Sequence, residues 1–267
     1  MDWSKAKTIL IIALLLLNVF LLVMIMFTNP ASLLTDNYKK YAINYLLSRD
    51  IEINTDVPRF SRPVSKIIYT TKEYDPERLC KLVFGEVMPY SLNGNGFYIK
   101  NEEESISLSE DLLLINDKLS DGKYLFANPN KLIKSLQKYL RELGFNKSSI
   151  IMGEIEDKDD SIQIIFNLKY KNNMVFDQII MARLNSDGLL TIWAPAKNVS
   201  KGNGVSDILS AYQILVTGGL PSGTKIENVD FGYKQISEGD IYGNPVWRVI
   251  LNDGTVIYYN AYTGVKL

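Results

Sequence analysis

The residue types that carry most catalytic chemistry are scarce in this chain. Its 267 residues include no His and a single Cys, Cys80. The lack of His excludes Ser-His and Cys-His nucleophile pairs, His-ligated zinc and the usual general base near neutral pH. Cys80 cannot form an intrachain disulfide, and its position between Leu79 and Leu82 in a helical pattern indicates a packing residue. We therefore expect no enzymatic activity.

The short motifs that could bind phosphate or form an acyl-enzyme are incomplete. Two Gly-Asn-Gly triplets, at 94–96 and 202–204, do not continue into G-x-G-x-x-G and predict turns. Ser-x-x-Lys occurs at Ser120, Ser135 and Ser222, without the companion motifs of the penicillin-recognising enzymes. These matches are expected by chance.

Acidic residues cluster at 102–104 and at 154–160. A calcium loop needs alternating ligands, a Gly at its sixth position and a Glu at its twelfth. Counted from Asp157, the sixth position is Ile162, so the template fails. The clusters predict solvated hairpin tips, and we expect no metal and no cofactor.

A long apolar segment lies near the start of the chain. Residues 8–27 contain no charged side chain, and Asn18 is the only strongly polar residue among them. A helix of about twenty residues crosses a hydrocarbon core of about 30 Å, and a helix satisfies its own backbone there. The sequence therefore predicts a transmembrane helix at 8–27, after a tail at 1–7.

The charges around this segment predict its orientation. Lys5 and Lys7 lie directly before it, whereas Lys39 and Lys40 follow at a greater distance. The positive-inside rule then places the tail in the cytoplasm and the rest of the chain outside it. The apolar run exceeds a signal-peptide core and residues 28–32 are a poor cleavage site, so we expect an uncleaved anchor. Together with Trp3, the two lysines are the predicted membrane-interface residues that contact lipid.

One face of the predicted span could bind another helix. A carboxamide has donors and an acceptor that lipid cannot satisfy, whereas a neighbouring helix can. The alternative is an Asn18 side chain bonded only to its own helix backbone. We predict a partner-binding face at heptad spacing, formed by Ile11, Leu14, Asn18, Leu21 and Ile25.

Beyond the span, composition and pattern indicate folded α+β structure. The chain is 46% hydrophobic and its formal net charge is −1, so it can form a core and offers no basic field to a nucleic acid. Helix starts at Asp75-Pro76, Asn128-Pro129 and Ser206 are each followed by a group of short strands. We predict a juxtamembrane helix within 28–50 and two exported domains, at 51–127 and 128–267. Each domain is expected to be an antiparallel sheet covered by helices.

The end of the chain resembles a known module. Two alternating strands joined at Asp253-Gly254 are followed by Asn-Ala-Tyr-Thr-Gly at 260–264. This arrangement resembles the closing hairpin of PepSY-type modules, which usually end in D-x-x-T-G-x. Asn260 stands where the module usually has Asp, which weakens any idea of a cation bound there.

The start of the chain carries a second resemblance. Met-Asp-Trp-Ser-Lys-Ala-Lys at 1–7, followed by the long apolar run, is similar to the opening of the YycI (WalI) regulatory proteins, which are paired with YycH. The resemblance implies an anchored accessory protein without enzymatic activity. Its expected partners are a sensor histidine kinase that controls Gram-positive cell-wall metabolism and a YycH-like sister protein. The alternative is an exported PepSY-type module that binds or inhibits a peptidase or cell-wall hydrolase.

Overall fold

The structure is a computed structural model. It describes residues 3–27, 36–59, 62–94, 96–119, 129–158, 160–237 and 239–267. Two predictions lie outside these residues: the domain boundary near Asn128, and the part of the juxtamembrane segment at 28–35.

The helices agree closely with the periodic apolar segments of the sequence. Asp75 Oδ1 accepts a hydrogen bond from Glu77 N at 3.0 Å and caps the third helix, as its position before Pro76 predicts. In the described residues the helices are α1 (Trp3–Phe27), α2 (Asp36–Ser48), α3 (Pro76–Val83), α4 (Pro129–Glu142) and α5 (Ala211–Thr217).

The strands form one large mixed sheet, so the chain has an α+β fold. Alternating burial runs along most strands, as in β2, where every second residue from Ser65 to Tyr69 is buried. The strands are β1 (Glu52–Ile53), β2 (Val64–Thr71), β3 (Leu92–Asn93), β4 (Gly96–Asn101), β5 (Glu104–Leu108), β6 (Leu112–Lys118), β7 (Ile150–Lys158), β8 (Ser161–Tyr170), β9 (Asn173–Asn185), β10 (Leu189–Pro195), β11 (Lys197–Ser206), β12 (Lys225–Lys234), β13 (Tyr242–Leu251) and β14 (Val256–Asn260).

The larger part of the sheet, here called the major wing, has the antiparallel order β7-β8-β9-β10-β6-β5-β4-β3. Helices α3 and α4 cover one face of it, where Cys80 is fully buried and Tyr139 of α4 donates a 2.7 Å hydrogen bond to Asp117 of β6. Cys80 is thus confirmed as a packing residue. One register row on this face is wholly buried: Ile164, Ala182, Ile192, Ile115, Ile106 and Ile99.

The smaller part, here called the minor wing, contains β12, β13, β14, β2 and β11, with β1 beside β12. Phe231, Trp247 and Tyr259 are register neighbours on three adjacent strands, and all three are buried. Trp247 donates through its indole N–H to Leu209 O at 2.8 Å, and Tyr259 donates to Gly218 O at 3.0 Å. These bonds hold both ends of α5 against the minor wing. The hairpin predicted at the end of the chain is confirmed as β13–β14.

The two wings join where β12 and β9 pair in parallel, with Gly232 opposite Met174. The β1–β12 pair is parallel as well, so the predicted purely antiparallel sheet is wrong. Short-range turn signals specify hairpins, whereas both parallel pairs unite strands far apart in sequence. The two-domain division at 128 remains a prediction. The strands β6 and β10, one from each side of it, are paired along Leu112–Lys118.

Two local predictions around residue 205 are wrong. Ser206 ends β11, and the N-cap of α5 is Ser210, which forms a capping box with Gln213. The triplet at 202–204 is not a simple turn, because it lies within β11 where the register with β2 shifts between Lys201 and Val205. Gly204 has a φ of +75° there, a conformation that favours glycine in a bulge.

Candidate functional site

The predicted partner-binding face lies on α1, whose described apolar side chains are exposed. The segment Lys7–Met24 has a mean hydropathy of 2.6 and is long and apolar enough to cross a membrane. This length and composition suit a membrane anchor or an N-terminal signal sequence. None of that segment is buried against the rest of the protein. The helix therefore offers its whole apolar surface to its surroundings.

Asn18 has a partner within its own helix. Its Nδ2 donates to Leu14 O at 3.0 Å. This bond matches the alternative in which the side chain bonds to its own backbone. Among the described residues, nothing donates to Asn18 Oδ1, so the carboxamide keeps an unused acceptor and a second N–H. A neighbouring helix could use both.

The surface around Asn18 is a shallow groove of about 400 Å³. Ile11, Leu14 and Asn18 of the predicted face line it, and Leu21 does not. The other lining side chains are Leu15, Val19 and Leu22, which extend the groove to one side of that face. Ile25 belongs to the same helix, and its side chain lies outside the described part of the chain. The structure thus brings three of the five predicted residues together.

The predicted membrane-interface residues lie in the first turns of α1. Lys7 Nζ lies 5.9 Å from the centroid of the Trp3 ring, and Trp3 is 75% exposed. A cation over an indole is a favourable pair, and both side chains suit the headgroup layer. The backbone of Lys5 is in the same helix, while its side chain lies outside the described part of the chain.

A buried lysine occupies the contact between α4 and β2. Lys72 directly follows β2, is 9% exposed, and donates from Nζ to Leu143 O at 3.0 Å, one residue beyond α4. Its Nζ is 3.2 Å from the centroid of the Phe145 ring and 4.8 Å from that of Tyr74. Burial lowers the pKa of Lys72 to about 7. Beside it is a cavity of about 250 Å³ that Lys169 and Lys197 also line.

A second cavity, of about 320 Å³, lies at the other side of Lys197. Glu110, Asp111 and Asp240 line it, so three carboxylates lie beside this cavity. Asp111 Oδ1 forms a 2.7 Å ion pair with Lys197 Nζ, and Asp240 Oδ2 accepts from Ser237 N at 2.9 Å. Both carboxylates therefore stabilise local structure.

The acidic clusters assemble no ion site in the described residues. Nowhere in that part of the chain do three or more His, Cys, Asp or Glu side chains form a metal-binding group. Glu103 pairs with Lys118 at 2.9 Å, and Glu102 occupies the β4–β5 turn with a φ of +51°. Asn260 accepts hydrogen bonds from Tyr262 N (2.9 Å) and Thr263 N (3.3 Å). Its role in the structure is to form the turn after β14.

Among known proteins, the chain is similar only to solved structures. No protein-family model and no curated protein matches the chain. The chain is similar to an uncharacterized protein from Eubacterium rectale ATCC 33656, with 14% identity and a TM-score of 0.49 over 84% of this chain and 97% of the other. It is also similar to the C-terminal domain of YpeB from Bacillus megaterium, with 12% identity and a TM-score of 0.47 over 73% of this chain and 96% of the other.

Two charged groups with notable surroundings escaped the sequence analysis. Lys72 follows a strand and precedes Glu73, a context typical of a surface lysine. Arg183 lies at an outward position of the alternating strand β9, where a charged residue is ordinary. Their surroundings come from α4 and from β8 and β10, and no short-range pattern signals either.

Proposed function

We propose that this chain is a membrane-anchored accessory protein that regulates a sensor histidine kinase controlling cell-wall metabolism. The observation that carries the proposal is the groove around Asn18, which places an unused amide acceptor in an otherwise apolar helix surface. In lipid, such an acceptor is satisfied by a donor from another helix. The contact therefore forms within the membrane, between α1 and a span of the kinase or of a YycH-like sister protein.

The choice of partner rests on the start of the sequence. The tail at 1–7 and the apolar run after it resemble the YycI regulatory proteins, and that resemblance names a sensor kinase and a YycH-like protein as partners. The lysines of the tail favour a cytoplasmic amino terminus, with the chain beyond α1 outside the cytoplasm. In this arrangement the folded α+β part meets the extracytoplasmic part of the kinase.

Co-reconstitution tests the proposal directly. The full chain and the cell-wall-controlling sensor kinase of the same organism are placed in one proteoliposome, and the autophosphorylation rate of the kinase is measured. A matched variant carries an unrelated polyleucine span in place of 8–27. We expect the full chain to change the rate and the variant to change it less. Identical rates with the full chain, with the variant and with no added protein contradict the proposal.

A further inference from the structure

A continuous row of polar side chains crosses the face of the major wing that is turned away from α3 and α4. The row lies one residue away in register from the wholly buried row, and side chains alternate between faces along a strand. Its members are register neighbours on seven strands: Glu156, Gln163, Arg183, Thr191, Asn116, Ser105 and Lys100.

Most of this row is held together by hydrogen bonds. Thr191 Oγ1 donates to Asn116 Oδ1 at 2.9 Å, and Asn116 Nδ2 donates to Ser105 Oγ at 2.9 Å. On the other side, Arg183 Nη2 donates to Gln163 Oε1 at 3.1 Å. Cross-strand pairs of this kind fix side-chain positions on a sheet. The row is therefore a pre-organised surface with Arg183 near its middle.

Arg183 leaves most of its hydrogen-bonding capacity unused. Its Nε is buried and has no acceptor, the one such buried side-chain atom in the described residues. A guanidinium has five N–H donors, and the single bond to Gln163 uses one. A buried unpaired donor is costly, and a native structure that keeps one needs an explanation. No carboxylate among the described residues pairs with Arg183.

The carboxylates at one margin of this face are already paired. Lys118, in a neighbouring row, lies 2.9 Å from Glu103 and 3.7 Å from Asp187. Glu156, at the far end of the polar row, accepts a 3.4 Å hydrogen bond from Gln163. The half-buried guanidinium of Arg183 is thus left without a carboxylate partner among the described residues.

Next to the polar row is an apolar row that contains an aromatic contact for Arg183. The guanidinium carbon lies 5.6 Å from the centroid of the Trp193 ring, a cation–π arrangement that holds the guanidinium in place. Tyr98, at the end of this row, is 61% exposed, and the other members are half-buried. The row consists of Ile165, Met181, Trp193, Leu114, Ser107 and Tyr98.

We propose that this face docks a protein segment in which a carboxylate pairs with Arg183 and flanking apolar side chains lie against Trp193 and its row. Charge complementarity selects the carboxylate, because an unpaired guanidinium binds it through two parallel hydrogen bonds. Arg, Trp and Tyr are also the residues that dominate binding energy at protein interfaces. The surface is distinct from α1 and its occupant is defined by chemistry alone, so the inference goes beyond the proposed function.

Fluorine NMR of the full chain in nanodiscs tests this docking surface. The sequence has three Trp residues, Trp3, Trp193 and Trp247, so incorporation of 5-fluorotryptophan gives three signals. The probe is the peptide acetyl-Ser-Leu-Glu-Leu-Ser-amide, and its control has Gln in place of Glu. We expect the Glu peptide to shift the Trp193 signal in a saturable way and to bind about fivefold more tightly than the Gln peptide. Trp247, which is fully buried, should not shift.

Arg183→Gln is the test variant, and Arg78→Gln is its matched control. Arg78 lies on α3, a helix that covers the opposite face of the major wing. We expect Arg183→Gln to abolish the preference for the Glu peptide and Arg78→Gln to retain it. An unchanged Trp247 signal shows that each variant is folded. Equal binding of the two peptides by the parent chain overturns the inference, whether or not the variants fold. A preference for the Glu peptide that survives Arg183→Gln overturns it as well.

Discussion

Lys72 shows how one buried charge joins two parts of the fold. Its ammonium lies at the carboxyl end of α4, where unsatisfied carbonyl groups favour a cation, and between two aromatic rings. Gly144, with a φ of +83°, lets the chain turn directly after Leu143 and bring Phe145 against the lysine. Withdrawal from water nevertheless lowers the pKa of Lys72 to about 7.

This lowered pKa predicts a pH dependence of stability. An unfolded lysine has a pKa of about 10.4, so between pH 7 and 10 the unfolded state binds more protons than the folded state. The unfolding free energy should therefore rise with pH, by at most about 1.4 kcal/mol per pH unit. We expect urea unfolding of a fragment spanning residues 36–267, compared at pH 7 and 9, to show this rise. Lys72→Met should lose it.

The matched control is Lys81→Met, at an exposed position of α3. It removes the same charge without touching a buried group, so the rise with pH should remain. An equal rise in the parent fragment and in Lys72→Met would mean that Lys72 is not the titrating group.

At the scale of elements, the parallel pairing of β9 and β12 joins the major wing to the minor wing. Gly232 makes it possible, because a Cβ at that position would collide with Met174 O and the Phe176 ring. Tyr69 and Asp177 add a hydrogen bond of 3.0 Å between β2 and β9 at the same junction, and Asp177 also accepts from Gln235 N at 2.8 Å. The junction is thus close-packed backbone with a polar network beside it.

Gly232→Ala should weaken this junction. Overpacking a close contact typically costs about 1–3 kcal/mol, and here we expect about 2 kcal/mol of unfolding free energy to be lost. Chemical denaturation of the same fragment measures it. Gly153→Ala in β7 is the control, because its added Cβ would meet Asn167 Oδ1 at 3.4 Å, an ordinary contact. A loss in Gly153→Ala as large as in Gly232→Ala would contradict the account.

At the same scale, the sequence predicted the elements that depend on residues close together in the chain. It did not predict those that depend on strand pairing between distant segments. The apolar period of α4 and the Asp253-Gly254 turn specify a helix and a hairpin from within a few residues, and the structure has both. The cap at Ser210 was missed because β11 extends to Ser206, which depends on pairing with β2. The two parallel pairs, β1–β12 and β9–β12, were also missed, because each joins strands that are far apart in the sequence.

For the whole molecule, one candidate site is formed within a single element, whereas the others are formed by elements that are distant in the sequence. The partner-binding face of α1 stays a prediction, and it depends only on the residues of that helix, including Asn18. The environments of Lys72 and Arg183 are assembled from elements that are separate in the chain, and a single sequence does not record such contacts.

Reporter fusions test the proposed orientation of the protein in the membrane. A fusion of alkaline phosphatase after Leu267 should be active, and a fusion of a fluorescent protein that matures only in the cytoplasm should be dark. This outcome follows from the lysines before the span and the distance to the next cations. A dark phosphatase fusion with a bright fluorescent one would reverse the proposed topology.

Site-specific photocrosslinking from α1 in native membranes tests the central claim most directly. A photoreactive residue at Leu14, beside Asn18, should capture the cell-wall sensor kinase or the YycH-like protein, and the same residue at Leu16 on the opposite side should capture much less. Asn18→Leu should reduce capture from Leu14 by about threefold to thirtyfold, the effect of an interhelical hydrogen bond of about 0.6–2 kcal/mol. Equal capture from both positions, undiminished capture by Asn18→Leu, or recovery of only a peptidase or cell-wall hydrolase would contradict the account.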